Sequence, residues 1–247
     1  MAKCHEENDM KLRYISAMTA LALAMAGVAS AQANGTALEP VLKKMDAAAA
    51  NFRTTEADFQ WDQYTRVIGS TDTQNGKIYF RRNGKNIEMF ADVQTVNGKP
   101  EPKQVLFNDS KLRLYEPKLD RVTVYETGKN RAEFESFLVL GFGGRGHDLL
   151  NSFDVKYGGA ETVNGVKASK LELTPKSAKA RKMFSNIELW IDDARGISVQ
   201  QKFIEAESGD YRLAKYSNIK INEKLADDVF KLKTTGKTKV VNAPSGF

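Results

Sequence analysis

Alternating apolar and polar residues over 104–125 constrain the fold more than any other feature of this chain. The segment consists of three short runs with a period of two, which is the period of a β-strand. Asn-Asp-Ser-Lys at 108–111 and Pro-Lys-Leu-Asp at 117–120 separate the runs and have the composition of tight turns. The pattern predicts an antiparallel meander with one dry and one wet face. We assign Val105, Phe107, Leu112, Leu114, Val122 and Val124 to the dry face, and Lys103, Arg113, Tyr115 and Arg121 to the wet face.

The same period recurs along most of the chain. Strands are predicted between 56 and 126 and again between 153 and 222, with a terminal strand near 228–234. A helical period is predicted over 38–52, over 131–140 and in a short turn over 147–152. The fold class is therefore mainly β with a few helices. We expect a single long antiparallel sheet of roughly ten or eleven strands, curled into an incomplete, unclosed β-barrel and covered by a helical lid.

Residues 1–33 have the composition of an N-terminal extension followed by a cleavable secretory signal peptide. Lys11 and Arg13 precede an apolar run over 15–28, which is too short to span a bilayer, and small residues follow it. The pattern predicts cleavage after Ala31 or Ala33 and export to the periplasm of a Gram-negative-type envelope; a buried N-terminal helix is the alternative. The remaining residues, 34–247, are predicted to form one soluble domain.

The charges are spread along the chain and sum to +6, from 37 Lys and Arg against 31 Asp and Glu. Residues 1–33 contain three of each sign, so the exported part keeps this charge, 34 against 28. Cys4 is the one cysteine and is lost with the leader, which excludes disulfides, thiol catalysis and an acylated cysteine anchor. Scattered charge and export predict no binding of nucleic acid.

The densest basic run lies beside Met183 and consists of Lys176, Lys179, Arg181 and Lys182. Such a run suits docking to an acidic protein surface or to anionic lipid head groups, through contacts that salt would screen. A solvated loop is the alternative interpretation.

A curled sheet of this length tends to enclose a space that apolar side chains line. We predict an apolar ligand-binding cavity lined by Phe59, Trp61, Ile78, Phe80, Met89, Phe107, Leu112 and Leu114. The alternative is that these side chains simply pack against the helices as core. A helical lid is predicted to cover this cavity. Its residues are Phe134, Phe137 and Leu138, and Gly141 and Gly143 form a flexible hinge.

Residues that carry catalysis are scarce in this sequence. After residue 33 it contains one histidine, His147, no cysteine and no Gly-x-Ser-x-Gly, so neither a Ser-His-Asp triad nor an ordinary zinc site is expected. His147 is interpreted as an exposed loop or helix-start residue. The pairs Asp192-Asp193 and Asp227-Asp228 fall at predicted turns. We predict that the protein is not an enzyme and has no catalytic residues, no metal and no cofactor.

Four segments occur in a recognisable order. They are Gly-Lys-Ile-Tyr-Phe-Arg-Arg at 76–82, Val-Leu-Phe-Asn-Asp-Ser-Lys-Leu-Arg-Leu-Tyr-Glu-Pro at 105–117, Leu-Glu-Leu-Thr-Pro-Lys at 171–176 and Asp-Val-Phe-Lys-Leu at 228–232. Behind a signal peptide and an opening helix, this order resembles the periplasmic outer-membrane lipoprotein carrier family, LolA. The resemblance implies a chaperone for lipoprotein transport that binds acyl chains in its hydrophobic cavity. It implies two partners, an inner-membrane lipoprotein-releasing transporter and an outer-membrane acceptor, and we expect a monomer.

Arg82 matches the family's arginine at the end of the second strand, which interacts with the lid. It shares parity with Ile78 and Phe80, so it points into the dry face, where an uncompensated charge is costly. We expect backbone carbonyls of the lid, or of the 134–146 segment, to accept its hydrogen bonds and to make Arg82 a latch. The alternative is an arginine that extends to water.

Two further functions remain open. The first is a regulatory or sensor module that recognises lipoproteins or a partner protein through the same cavity. The second is a lipid-acting hydrolase.

Overall fold

The computed structural model describes residues 37–84, 86–126 and 140–243. Within these residues the α-helices are α1 (37–51), α2 (Gly146–Ser152) and α3 (Ala178–Met183). The strands are β1 (Thr54–Thr65), β2 (Ser70–Asn83), β3 (Asn86–Val96), β4 (Lys99–Asn108), β5 (Lys111–Glu116), β6 (Arg121–Glu126), β7 (Phe153–Val163), β8 (Val166–Pro175), β9 (Phe184–Asp192), β10 (Ser198–Glu205), β11 (Tyr211–Ile221) and β12 (Lys239–Asn242). Two 3-10 helices cover Pro117–Leu119 and Asp227–Phe230.

All twelve strands form one sheet in the order β12-β6-β5-β4-β3-β2-β1-β11-β10-β9-β8-β7. Neighbouring strands are antiparallel except for β12, which runs parallel to β6. The edge strands β12 and β7 do not pair with each other in the described part of the chain, so the barrel is unclosed. The predicted fold class, mainly β with one long sheet in an incomplete barrel, is confirmed.

The strand predicted near 228–234 is wrong. Residues 227–230 form a 3-10 helix, and the backbone N–H of Lys233 donates to the side chain of Gln104 at 2.9 Å. Phe230 is buried in an apolar cluster with Phe90 and Leu106 on the sheet. In this segment, burial of the Phe230 side chain therefore determines the backbone conformation, and no strand forms. The terminal strand is β12, which comes later in the chain and covers the edge of β6.

The assignment of Val122 and Val124, on β6, to the dry face is also wrong. Leu112 and Leu114 pair with Tyr125 and Thr123, so Val122 and Val124 lie on the opposite face. The connection through Pro117–Leu119 sets this register, and alternation within one strand does not reveal it.

The face predicted to be wet is covered in this region. Val122 and Val124 cluster there with Tyr115, which is 4% exposed, and with Leu232. Lys103 pairs with Val93 and lies on the face of Val105 instead. Around β5 and β6 the sheet is therefore covered on this side by the C-terminal segment, while Leu112 and Leu114 on the opposite side are half-buried.

Helix α1 covers part of the other face, which we call the inner face. Val41, Leu42 and Met45 form its buried stripe, and Leu149 of α2 joins them. Their partners on β8 and β9 are Leu171, Leu173, Ile187, Leu189 and Ile191. Burying each such side chain contributes about 1.5–3 kcal/mol, so this cluster anchors the helix to the sheet.

The chain reversals lie at two ends of the sheet. The turns at 66–69, 97–98, 117–120 and 206–210 lie at one end together with α3, and we call it the turn end. β1 starts and β2 finishes at the opposite end, where α1 also finishes; we call this the helix end.

Candidate functional site

The sheet pairing places all eight predicted cavity residues on the inner face. Phe80 pairs with Met89, Met89 with Phe107, and Phe107 with Leu112. Ile78 and Leu114 join through their pairs with Ala91 and Val105, and Trp61 follows Phe59 by two residues. Of the eight, those buried are Phe59, Phe80, Met89 and Phe107; those half-buried are Ile78, Leu112 and Leu114; and Trp61 is 37% exposed. The inner face thus has a closed part and an open part.

The closed part is filled, because two aromatic side chains from outside the sheet enter it. Phe52, which follows α1, and Phe142 share one buried cluster with Phe59, Phe80 and Phe107. In the described residues, side chains of the protein itself therefore occupy the space around Phe59, Phe80 and Phe107.

Phe142 lies at the centre of this filling and is 1% exposed. Its ring stacks on Phe80 at 5.2 Å between centroids and meets Tyr216 edge-on at 4.7 Å. We call residues 140–145, which carry it, the plug segment. Phe142 was not among the predicted residues, although a single aromatic residue within a glycine cluster is a usable signal.

The glycines on either side of Phe142 allow it to reach this position. Gly141 and Gly143 have φ values of +81° and +76°. A Cβ at Gly141 would overlap the Cβ of Ser198, and one at Gly143 would lie 2.5 Å from Cδ1 of Phe52. The two predicted hinge residues are thus packed tightly in this state of the protein.

Hydrogen bonds tie the plug segment to β10. The backbone N–H of Ser198 donates to the carbonyl of Gly141 at 2.8 Å, and Nε2 of Gln201 donates to the carbonyl of Leu140. The hydroxyl of Tyr216 donates to Oε1 of Gln201 at 3.4 Å. Burial raises the pKa of Tyr216, so it remains a neutral donor.

Arg82 holds the plug segment from the other side. Its Nη1 donates to the carbonyl of Ala49 at 3.1 Å, and its Nη2 donates to the carbonyl of Gly143. The guanidinium carbon lies 5.6 Å from the ring centroid of Phe52. Both acceptors are neutral carbonyls, so Arg82 joins α1 to the plug segment without a counter-ion among these contacts.

The open part of the inner face runs from the plug towards the turn end. It consists of partly covered apolar side chains, which are Trp61, Ile78, Val96, Val105, Leu112, Leu114 and Ala214. We call these residues the open strip. Val96 and Ala214 were not predicted; their pairing with Gln74 and Trp61 reveals them.

Two further depressions lie away from the open strip, and the larger of them is not an apolar hollow. One of about 420 Å³ over β1, β2 and β11 has a mostly polar lining that includes Asp58, Gln60 and Lys215. These side chains alternate with Phe59 and Tyr216, which places them on the outer face. One of about 130 Å³ lies between α1 and Asp192-Asp193.

His147 joins α1 to α2. Its Nδ1 lies 2.5 Å from Oδ2 of Asp46 and its Nε2 lies 3.3 Å from Oε2 of Glu39, both on α1. The hydrogen bond to Asp46 raises the pKa of His147, with a smaller contribution from Glu39 and with burial opposing. His147 therefore acts as a structural tie next to the plug segment.

The paired carboxylates also have structural partners. Asp192 accepts hydrogen bonds from the backbone of Ala194 and Arg195 and pairs with the Arg195 side chain at 2.5 Å. Asp227 pairs with Arg81 at 2.7 Å.

Over 37–84, 86–126 and 140–243 no three His, Cys, Asp or Glu side chains are placed to hold a metal ion. Phe134, Phe137 and Leu138 lie outside the described residues.

An unclosed barrel with helices on one face and an apolar inner face defines the class of open-barrel proteins. The family model of the outer membrane lipoprotein carrier protein LolA matches residues 50–233. The chain therefore belongs to the LolA family, as its motifs predicted. That family is described as one of carriers rather than of enzymes.

Solved structures share the fold at low sequence identity. An uncharacterised conserved protein from Thermus thermophilus has a TM-score of 0.54 at 12% identity, over 83% of this chain and 98% of that chain. MucB has a TM-score of 0.51 at 14% identity, over 83% of this chain and 66% of its own, and the complex of MucA and MucB from Pseudomonas aeruginosa is also solved. No curated protein matches the sequence. None of the helices in the described ranges is long and apolar enough to cross a bilayer.

Proposed function

We propose that the protein is a periplasmic carrier that binds the acyl chains of lipoproteins on the inner face of its sheet. Membership of the LolA family supports this. The observation that carries the proposal is the plug: Phe142, together with Phe52, fills the closed part of an apolar face whose remainder, the open strip, is only partly covered by the described residues. Acyl chains would lie along the open strip and replace the ring of Phe142.

The energetics of acyl chains suit an exchangeable plug. Hiding one methylene from water contributes about 0.8 kcal/mol, so two or three chains represent tens of kcal/mol. A permanently empty cavity would bind such cargo too tightly for transfer. Because Phe142 buries the same surface when cargo is absent, only the difference between the two occupants drives binding, and release remains feasible.

Arg82 would set the balance between the plugged and loaded states. Its bonds to the carbonyls of Ala49 and Gly143 exist in the plugged state and must break when the plug segment leaves. Each is a hydrogen bond from a charged donor, worth about 1.5–3 kcal/mol, so the pair favours return of the plug and expulsion of cargo. This is the latch role that the resemblance implied.

In this proposal the leader at 1–33 is removed and the carrier moves between two membranes as a monomer. An inner-membrane lipoprotein-releasing transporter would load it, and an outer-membrane acceptor would receive the cargo. The donor and acceptor would act by moving the plug segment, since it separates the closed part of the inner face from solvent.

Native mass spectrometry tests the proposal. Protein purified from the periplasm is mixed with a synthetic diacylated lipopeptide or with the same peptide without acyl chains. We expect a one-to-one complex with the acylated peptide alone. A stoichiometric protein partner and no lipopeptide binding would favour the sensor function, for which the MucA and MucB complex is the parallel. Turnover of an ester would instead indicate a hydrolase.

A further inference from the structure

The β1–β2 turn carries two aliphatic side chains into solvent. Val67 is 88% exposed and Ile68 is 72% exposed. Single exposed apolar residues are common, but hairpin turns favour Gly, Asn, Asp and Ser. Neither side chain belongs to any apolar cluster of the described residues. The fold therefore gives no reason for two adjacent aliphatic residues at this position.

This turn projects beyond the end of β3 and is held in place by the 206–210 loop. β2 pairs with β3 only as far as Gln74, so residues 70–73 extend past the end of β3. Tyr64 and Tyr211 stack below the turn at 4.8 Å between ring centroids. The backbone N–H of Arg66 donates to Oδ1 of Asp210 at 2.9 Å. The apolar tip is thus preformed.

Basic side chains lie beside this tip at the turn end, on the side of β11, β10 and α3. Nζ of Lys202 lies 4.3 Å from the ring centroid of Tyr211. Helix α3 joins the same surface, because the N–H of Ala206 donates to the carbonyl of Met183 at 3.2 Å, and Met183 is 45% exposed. The basic residues of this surface are Arg66, Lys179, Arg181, Lys182, Lys202 and Arg212.

The acidic residues of this surface are fewer, and most have local partners. Asp210 caps the turn through Arg66, and Asp72 accepts from Nδ2 of Asn97 at 2.8 Å. Glu205 pairs with Arg212 at 3.1 Å. Glu207 is a further acid, and beside α3 Asp154 lies 3.8 Å from Lys176. With this pair included, seven basic residues stand against five acidic ones, so the surface keeps a positive excess, which is complementary to an anionic partner.

We propose that the turn end docks on an anionic lipid bilayer, with Val67 and Ile68 inserted among the head groups. Two aliphatic side chains at a hairpin tip can bury far less surface area than the roughly 1,000 Å² that a specific protein–protein interface buries. A bilayer accepts any apolar projection, and anionic head groups attract the cations around it. The open strip reaches towards the same end, since Trp61 lies on β1 between Phe59 and this turn. Docking would bring that strip close to lipid.

Vesicle sedimentation tests docking, and the probe is a protein-free vesicle of phosphatidylcholine with or without about one third phosphatidylglycerol. We expect the periplasmic protein to sediment with anionic vesicles and not with neutral ones. The Val67→Ser/Ile68→Ser variant should bind about tenfold more weakly or worse. Its matched control is Val240→Ser/Val241→Ser on β12, where two valines are also exposed, and this variant should bind like the wild type.

A charge variant and salt complete the test. The variant Lys179→Gln/Arg181→Gln/Lys182→Gln should bind anionic vesicles more weakly. Salt at about 1 M should release the wild-type protein, because it shortens the Debye screening length to about 3 Å. Equal binding by the wild type and the Val67→Ser/Ile68→Ser variant would overturn the proposal. So would sedimentation only with vesicles that contain native membrane proteins, since the partner would then be a protein. Lipopeptide binding measured by mass spectrometry is independent of this outcome.

Discussion

At the scale of single residues, the proposed control of the inner face depends on Arg82 and Phe142. Both act on the plug segment, Phe142 by filling the closed part and Arg82 by donating to the carbonyl of Gly143. Their effects should oppose any ligand that needs the same space. Each can be removed separately, and each removal has a distinct signature.

Replacing Arg82 with leucine should strengthen cargo retention. Arg82→Leu removes both bonds to backbone carbonyls and keeps an apolar side chain near Phe52, so the plugged state loses stability relative to the loaded state. We expect release of a fluorescent diacylated lipopeptide to slow by about tenfold or more. The measurement is the rate of transfer to acceptor vesicles, followed by fluorescence.

Lys77→Leu is the matched control for this variant. Lys77 is a cation on the outer side of the same strand, where it pairs with Asp58 at 2.7 Å. The Lys77→Leu variant should release lipopeptide at the same rate as the wild type. If Arg82→Leu also releases at the wild-type rate, Arg82 is not a latch.

Replacing Phe142 with alanine should separate stability from binding. Phe142→Ala leaves an apolar void between Phe80 and Tyr216 and should lower the free energy of unfolding by about 3–5 kcal/mol. The void should also increase affinity for an acyl probe, because no ring competes for the site. Chemical denaturation and a fluorescent fatty-acid titration measure the two effects.

Phe153→Ala provides the comparison, since Phe153 is 3% exposed in the cluster beneath α1. It should lose comparable stability without a gain in affinity. Equal affinity gains in both variants would mean that general loosening, rather than the plug, controls binding.

At the scale of elements, α1 and α2 are joined by a titratable contact. Asp46 and Glu39 of α1 both face His147 of α2, and Arg145 lies 3.9 Å from Asp46. Lys43 also faces Glu39, at 3.2 Å. Only protonated His147 forms an ion pair with the two carboxylates.

Protonation of His147 should therefore stabilise the α1–α2 contact at lower pH. Because the folded state raises its pKa above 6.5, the stabilisation is fully present below that value and is lost as pH rises through the higher folded pKa. The expected result is a melting temperature that falls across this window in the wild type more than in His147→Gln. Calorimetry across the pH range measures it, while NMR titration of the imidazole gives the pKa directly. Identical pH profiles would show that the contact contributes nothing.

Sequence periodicity predicted the elements better than it predicted their faces. Helix α1, the α2 turn and the β7–β8 hairpin at Asn164-Gly165 follow from local patterns, since both turn residues can adopt positive φ values. The faces on which Val122 and Val124 lie could not be predicted from local patterns, because the register between β5 and β6 depends on pairing across the turn. Helix α3 was interpreted only as a basic run, since six residues carry little periodic signal.

At the scale of the whole molecule, binding to the folded state should stabilise the entire sheet. An acylated ligand at one hundred times its Kd adds about 2.7 kcal/mol to the free energy of unfolding. For a chain of this size that corresponds to a rise in melting temperature of about 5–10 °C. Thermal melts with diacylated lipopeptide should show this rise, while the unacylated peptide should leave the transition unchanged. No shift at saturating lipopeptide would contradict a site on the folded barrel.

Within each strand the predicted lining residues share a face because alternation is a local property, and the pairing registers of β1 to β5 then bring all eight to the inner face. Their exposure could not be predicted, since it depends on Phe52 and Phe142 arriving from distant parts of the chain. The same holds for the acceptors of Arg82, which are backbone atoms that lie 33 and 61 residues away from it.

The sequence by itself determined the strand pattern, the mainly β class and the family, because these depend on local periodicity and on the order of short motifs. Only the tertiary structure decided which strand faces are buried, that an aromatic ring fills the inner face, and that Arg82 joins α1 to the plug segment. Those features arise from contacts between segments far apart in the chain, where packing volume and pairing register select one arrangement among several that the same local patterns allow.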